Sequence, residues 1–221
     1  MRTVIFDLDG TLADTSADLI ASANAAMQAL GHSPQLVAGA DDATAFRGGR
    51  AMLRQSLERI GHDDLEAEVE RGYPLLLAAY GDALDVHTTL YPGATRAVEV
   101  LRAAGLKVGI CTNKPEGLAE TLLQRLGVRG LFGSMIGADT LPTRKPDPAP
   151  YIASVERAGG SVAHSLLVGD TITDRETARA AGVPSVLVTF GPLGQGVAAM
   201  APEALLDTYD DLPDVVARLL D

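Results

Sequence analysis

An α/β fold is predicted: a parallel sheet with helices on its faces, interrupted soon after its first strand by an all-helical insertion. Three observations predict it. Short apolar runs of strand length alternate with helical patterns from about residue 90 onward, which is the signature of βαβ units. A similar run, Val4-Ile5-Phe6, stands alone near the start. Between residues 15 and 87 no strand pattern occurs. The expected core is therefore 1–14 with 88–221, and the expected helical domain is 15–87.

The elements follow in order. Val4-Ile5-Phe6 stops at Asp7 and Gly10, a buried strand ending in a turn. Asp14, Thr15 and Ser16 offer N-caps for a helix to about Leu30, and Gly31 closes it. A second helix follows Gly49, with Met52, Leu53, Leu57 and Ile60 at helical spacing, and ends at Gly61. A third runs from about Asp63 to Tyr80, with Leu65, Val69, Leu76 and Tyr80 inward; Pro74 is expected to kink or break it. Pro92-Gly93 opens a helix that ends at Gly105. Strand 107–111, helix 115–126, a weak strand at Met135-Ile136 and helix 148–158 follow. Strand 165–168, helix 174–181, strand 184–189 and a last helix over 212–220 complete the reading.

Composition narrows the function. The formal net charge is -11, from 29 acidic and 18 basic residues. A nucleic-acid groove would need a basic footprint, and an anionic membrane surface would need basic clusters. Hydrophobic content of 47% and mean hydropathy of +0.14 allow a packed core. A single cysteine, Cys111, excludes an intrachain disulfide and fits a reducing compartment. The first apolar run is far shorter than a signal peptide's, and no stretch approaches a membrane span. A cytoplasmic monomer or homodimer is expected.

Four polar clusters sit where predicted strands end: Asp7-Leu8-Asp9-Gly10-Thr11, Thr112-Asn113-Lys114, Lys145 within Arg144-Lys145-Pro146, and Gly169-Asp170 with Asp174 beyond. Open parallel sheets bind ligands beyond the carboxyl ends of their strands. Three or four carboxylates on one rim would repel one another unless a hard cation such as Mg²⁺ joined them. Lys145 adds a positive charge, and Thr112 and Asn113 add donors for phosphate oxygens. That set suits a transferring phosphoryl group. One carboxylate can be the nucleophile. Another two residues away, on the same side of the strand, can serve as acid and base. Asp7 and Asp9 have that spacing.

The run Phe-Asp-Leu-Asp-Gly-Thr-Leu-Ala-Asp-Thr resembles the first motif of the haloacid-dehalogenase-like hydrolase superfamily, and the other three clusters resemble its remaining motifs, in order. The resemblance implies a Rossmann-like core with a helical cap inserted after the first strand. It implies Asp7 as nucleophile and Asp9 as general acid/base. Mg²⁺ would be held by Asp7, the main-chain carbonyl of Asp9 and Asp170, with Asp174 supporting the metal or orienting Lys145. Thr112, Asn113 and Lys145 would bind the phosphate. Cys-Thr-Asn-Lys-Pro at 111–115 and Gly-Ala-Asp-Thr-Leu-Pro-Thr-Arg-Lys-Pro-Asp-Pro-Ala-Pro at 137–150 are similar to the phosphoglycolate phosphatase subfamily. The implied activity is hydrolysis of a small phosphate monoester, with 2-phosphoglycolate the substrate that the subfamily suggests. A sugar phosphate mutase of the β-phosphoglucomutase type shares these motifs and is the alternative, and a non-catalytic binding protein on the same fold is another. Dehalogenase chemistry needs neither Asp9 nor Asp170. Phosphonate cleavage needs a cap lysine, and residues 15–87 contain none.

Within the insertion, Phe46-Arg47-Gly48-Gly49-Arg50 stands where many phosphoglycolate phosphatases carry Gly-x-Gly. Arg47 and Arg50 are candidate ligands for a substrate carboxylate, and the rival expectation is that they are solvated or pair with acids of the insertion such as Glu58. His32, His62 and His87 are expected at the surface, and Cys111 as a small buried residue.

Overall fold

The computed structural model describes residues 1–220; Asp221, the end of the expected core range, lies outside the described residues. The chain forms two compact units: Met1–Asp14 together with the chain from Leu90 onward, and Thr15–Thr89.

The elements run β1 (Thr3–Phe6), β2 (Ala13–Asp14), α1 (Ser16–Ala29), α2 (Asp42–Ala45), α3 (Gly49–Arg59), α4 (Leu65–Asp82), β3 (Thr89–Leu90), α5 (Ala94–Ala103), β4 (Lys107–Cys111), α6 (Glu116–Arg125), β5 (Ser134–Ile136), α7 (Ala149–Arg157), β6 (Ser165–Gly169), α8 (Ile172–Ala181), β7 (Ser185–Val188), β8 (Ala204–Leu206) and α9 (Leu212–Leu220). The first unit holds a six-stranded sheet in the order β5-β4-β1-β6-β7-β8. Every pairing in it is parallel.

That order locates the site before any side chain is considered. From β1 the chain builds outward through β4 and β5, then returns to lay β6, β7 and β8 on the other side. The reversal lies at β1, and ligands of such sheets bind at the carboxyl end of the strand where the order reverses. Phe6 is level with Ile110 on one side and Val168 on the other. The residues that follow these strand ends are Asp7, Thr112 and Asp170.

The strands are continuous apolar runs, as strands covered on both faces must be. Val4, Ile5, Phe6, Leu166, Leu167 and Val168 are fully buried. Each such side chain contributes about 1.5–3 kcal/mol on burial. Gly109 is dictated by packing, since a Cβ there would lie 2.1 Å from Ser134 Oγ.

The second unit is helical between residues 15 and 88. Met52, Leu53, Leu57, Val69, Leu76 and Tyr80 are buried as their spacing requires, whereas Ile60 is 37% exposed and Leu65 half-buried. Asp18, buried in α1, ties the ends of the unit together. Its carboxylate accepts hydrogen bonds from His87 N, Thr88 N and Thr88 Oγ1 at 3.0, 2.8 and 2.7 Å.

Several expectations need correction. α4 runs unbroken through Pro74. Proline removes one helical donor, and the burial of Val69 before it and Leu76 and Tyr80 after it holds the helix together. The four-residue α2 and the edge strand β8 were not expected; both are too short to carry a period. α8 begins at Ile172, with Thr171 as N-cap, so Asp174 is its third residue and does not open the helix. Among the described residues, no helix is long and apolar enough to cross a membrane.

Candidate active site

Asp7 follows β1, where its N–H donates to Val168 O at 2.9 Å. The chain then turns sharply: Leu8 O accepts from Leu12 N and Ala13 N, and Gly10 adopts φ 79. Positive φ costs glycine nothing. The turn sends Thr11 back, so that its hydroxyl donates to Asp170 Oδ1 at 3.0 Å. Tyr209, from the far end of the chain, donates to Thr11 O at 2.6 Å and fixes the loop from behind.

Asp170 follows β6, and α8 begins almost at once. Its capping box is closed by Thr171 and Asp174. Asp174 Oδ2 accepts from Thr171 Oγ1 at 2.7 Å and Thr171 N at 3.1 Å. Asp174 Oδ1 accepts from Lys145 Nζ at 2.6 Å. Both oxygens of Asp174 are thus committed, one to its helix and one to the lysine. Gly169 makes this possible, because a Cβ there would lie 2.4 Å from the Cβ and Cγ of Asp174.

Lys145 Nζ also lies 3.0 Å from Asp7 Oδ1. The contact is a charge pairing off the hydrogen-bond direction, so Asp7 Oδ1, although buried, accepts no hydrogen bond among the described residues. Asp7, Asp170 and Asp174 offer carboxylate oxygens within 4.8 Å of one another. Burial pushes the Asp7 carboxyl up to about 6; Lys145 opposes the shift, and Asp174 and Asp9 add to it. Asp170 is driven well above the usual carboxylate range by burial, then by Asp174 and Asp7. Lys145 is held above its ordinary value by Asp174 and Asp7, which outweigh the opposing effect of its burial.

These residues fit a hard divalent cation. Three carboxylates face one ammonium, every nearby donor is oxygen, and one buried carboxylate oxygen is orphaned. Oxygen donors with a deficit of positive charge are what Mg²⁺ requires.

Thr112 follows β4, where its N–H donates to Ile136 O at 2.9 Å and its Oγ1 accepts from Lys114 N at 3.2 Å. As an acceptor there, the hydroxyl keeps its own proton to donate elsewhere. Asn113, expected to donate to phosphate, donates its amide to Lys145 O at 3.0 Å and so braces the lysine's loop. Lys114 was missed as a site residue. It is buried and donates from Nζ to Asp9 Oδ2 at 2.8 Å. Its place in the Thr-Asn-Lys run, in a chain with only three lysines, was the available signal. Thr11 and Thr171 were missed as well; a hydroxyl beside a carboxylate is too common to single out.

Cys111 is buried, and desolvation pushes its thiol up to about 12, so it is no nucleophile. Arg47 and Arg50 belong to the helical unit, at the start of α3. Both are exposed. Arg50 pairs through both guanidinium nitrogens with Glu70, not Glu58, and lies over the Tyr73 ring at 4.4 Å.

Comparison with known proteins identifies the family. Residues 1–182 match the model of the family described as haloacid dehalogenase-like hydrolase. A phosphoglycolate phosphatase of Agrobacterium fabrum is 36% identical over 93% of this chain and 88% of its own length. One from Cereibacter sphaeroides is 36% identical over all of both chains. Among solved structures, that of a predicted phosphoglycolate phosphatase from Haemophilus somnus 129PT has a TM-score of 0.82, at 26% identity over 97% of each chain.

Proposed function

This chain belongs to the haloacid dehalogenase-like hydrolases, and from that premise we propose that it hydrolyses 2-phosphoglycolate or a close carboxylated phosphate ester through an aspartyl phosphate on Asp7. The observation that carries the reading is the orphaned Oδ1 of Asp7, buried beside Lys145 and two further carboxylates. Lys145 and the demand for a cation hold Oδ1, which is shut from solvent, and leave the other oxygen of Asp7 to meet phosphorus.

Asp7 attacks phosphorus as the ester P–O bond breaks. Asp9 gives a proton to the leaving alcohol oxygen, then takes one from the water that attacks the aspartyl phosphate. Orthophosphate leaves and the Asp7 carboxylate is restored. Lys145 and the Thr112 hydroxyl face the charge that develops on the phosphoryl oxygens. Asp174 acts through Lys145, which it holds at 2.6 Å. Mg²⁺, held by Asp7, Asp170 and the Asp9 carbonyl, would supply the positive charge that lets carboxylate and phosphate approach.

Arg50 and Arg47 are the residues of the helical unit proposed as ligands of a substrate carboxylate. Glu70 now occupies the Arg50 fork, so a substrate carboxylate would exchange with it. Relatives named phosphoglycolate phosphatase support this choice of ester. The test is a panel of phosphate esters assayed with Mg²⁺ and with EDTA. 2-Phosphoglycolate should give the highest kcat/KM, EDTA should abolish turnover, and Asp7→Asn should be inactive. Arg50→Ala should raise KM for 2-phosphoglycolate while sparing a neutral ester. Turnover in EDTA, an active Asp7→Asn protein, or transfer to a sugar phosphate faster than hydrolysis would overturn the proposal.

A further inference from the structure

Two histidines of the helical unit occupy equivalent positions. His32 follows Gly31 at the end of α1, and His62 follows Gly61 at the end of α3. Both glycines have positive φ, 91 and 66. In each case the histidine N–H turns back to a carbonyl five residues earlier, Met27 O at 2.9 Å and Leu57 O at 3.0 Å. This helix-ending motif fixes the residue after the glycine. The two rings meet edge to face with centroids 5.4 Å apart. Glu68, in the first turn of α4, is buried and reaches the same point. Both histidines are half-buried rather than exposed as expected.

We propose that His32, His62 and Glu68 form a site for a divalent transition metal of the zinc class, separate from the Mg²⁺ chemistry of the sheet. Each residue offers a ligand atom, and these atoms lie within 4.8 Å of one another. His32 Nε2 stands 3.3 Å from Glu68 Oε1. That is long for a hydrogen bond, and it equals the edge of a tetrahedron with metal–ligand bonds of about 2.0–2.1 Å. Two imidazoles and a carboxylate, with a fourth position for water, select zinc, cobalt or nickel over magnesium. The ligands come from two rigid helix ends and a helix start, and helix C-termini favour cations.

Two contacts oppose binding and make the proposal testable. Arg71 Nη1 donates to Glu68 Oε2 at 2.6 Å, and its side chain is 67% exposed. Its charge competes with the metal. Ligation by His62 also costs the bond that Asp64 N gives its Nδ1, a contact of 3.2 Å. An ion here would clip the ends of α1 and α3 to the start of α4.

The experiment is a Co²⁺ titration of the full chain in saturating Mg²⁺, followed by d–d absorption, with Zn²⁺ as competitor. The expected result is saturable binding at a single site with tetrahedral band intensity, displaced by Zn²⁺. His32→Gln and His62→Gln should weaken it by roughly tenfold or more. Asp170→Asn should leave it unchanged. Arg71→Ala keeps all three ligands, alters only an exposed side chain, and should tighten binding. Absence of the bands, equal affinity in His62→Gln, loss in Asp170→Asn, or unchanged or weaker binding in Arg71→Ala would each overturn the proposal.

Discussion

Asp7 is a charge the protein holds at a cost, and the cost has a sign. Its carboxyl is pushed up to about 6 in the folded chain, against 3.8 for the ordinary group. The folded state therefore binds the proton more tightly, and stability falls as pH rises from about 4 through 6. The loss by pH 7 is on the order of 2–3 kcal/mol. Asp170, raised in the same direction, adds to it. In EDTA the melting temperature should drop by roughly 4–10 °C between about pH 4 and 7.5, Asp7→Asn should flatten that drop, and Mg²⁺ should stabilise more at the higher pH. A melting temperature independent of pH in EDTA would refute the assignment. Lys114 sets a second test, because it anchors the carboxylate assigned to proton transfer. Lys114→Met should lower kcat about tenfold, less than the roughly 10²–10⁴ expected for Asp9→Asn. It should leave KM for a small neutral ester nearly unchanged. In the Asp9→Asn background it should cost almost nothing more, since the two act as one unit; additive losses would separate them.

At the scale of elements, the β6–α8 junction carries the site. One strand end, one glycine and one capping box position Asp170, Asp174 and, through Asp174, Lys145. Gly169→Ala should therefore be costly out of proportion to one methyl. The new Cβ meets Asp174 at 2.4 Å, and overpacking of this kind costs about 1–3 kcal/mol. Its activity should fall further than its stability, because Asp174 must move and Lys145 with it. Denaturant melts beside kcat measure both; an alanine variant with wild-type kcat would show that the junction yields. This junction also marks what could be read in the sequence. The βαβ alternation, the strand ends and the four polar clusters were legible, since strands buried on both faces are long apolar runs and the clusters stop them. The helix start was misplaced by two residues, because Thr171 and Asp174 are both capping residue types and only geometry tells N-cap from third position. The pairing of Lys114 with Asp9 and the His32–His62–Glu68 cluster were illegible for a different reason: each joins residues 30 or more apart in sequence, as in Asp9 with Lys114 or His32 with His62, and no local period brings them together. Glu68 is buried beside His32, and no local pattern around it marks that place.

For the whole molecule, the net charge of -11 and an isoelectric point near 4.7 act everywhere at once. Excess charge of one sign destabilises a compact chain by self-repulsion. Lowering the pH toward 4.7 relieves that repulsion, so the surface and the Asp7 cluster push stability the same way, and a pH titration alone confuses them. Salt separates the two. Exposed charges are screened over a Debye length that falls from about 30 Å at 0.01 M to about 10 Å at 0.1 M, whereas buried pairs are screened much less. Asp7, Asp170, Asp174 and Lys145 are all buried. Raising NaCl from about 0.01 to 0.5 M at pH 7.5 in EDTA should therefore raise the melting temperature of the natural protein and of Asp7→Asn by the same amount. The gap between the two proteins should stay constant. Calorimetry on both, at several salt concentrations, reads the gap directly. If it closes as salt rises, the cost of the Asp7 charge is borne in solvent, and a dry, cation-demanding cluster is not how this protein holds Asp7.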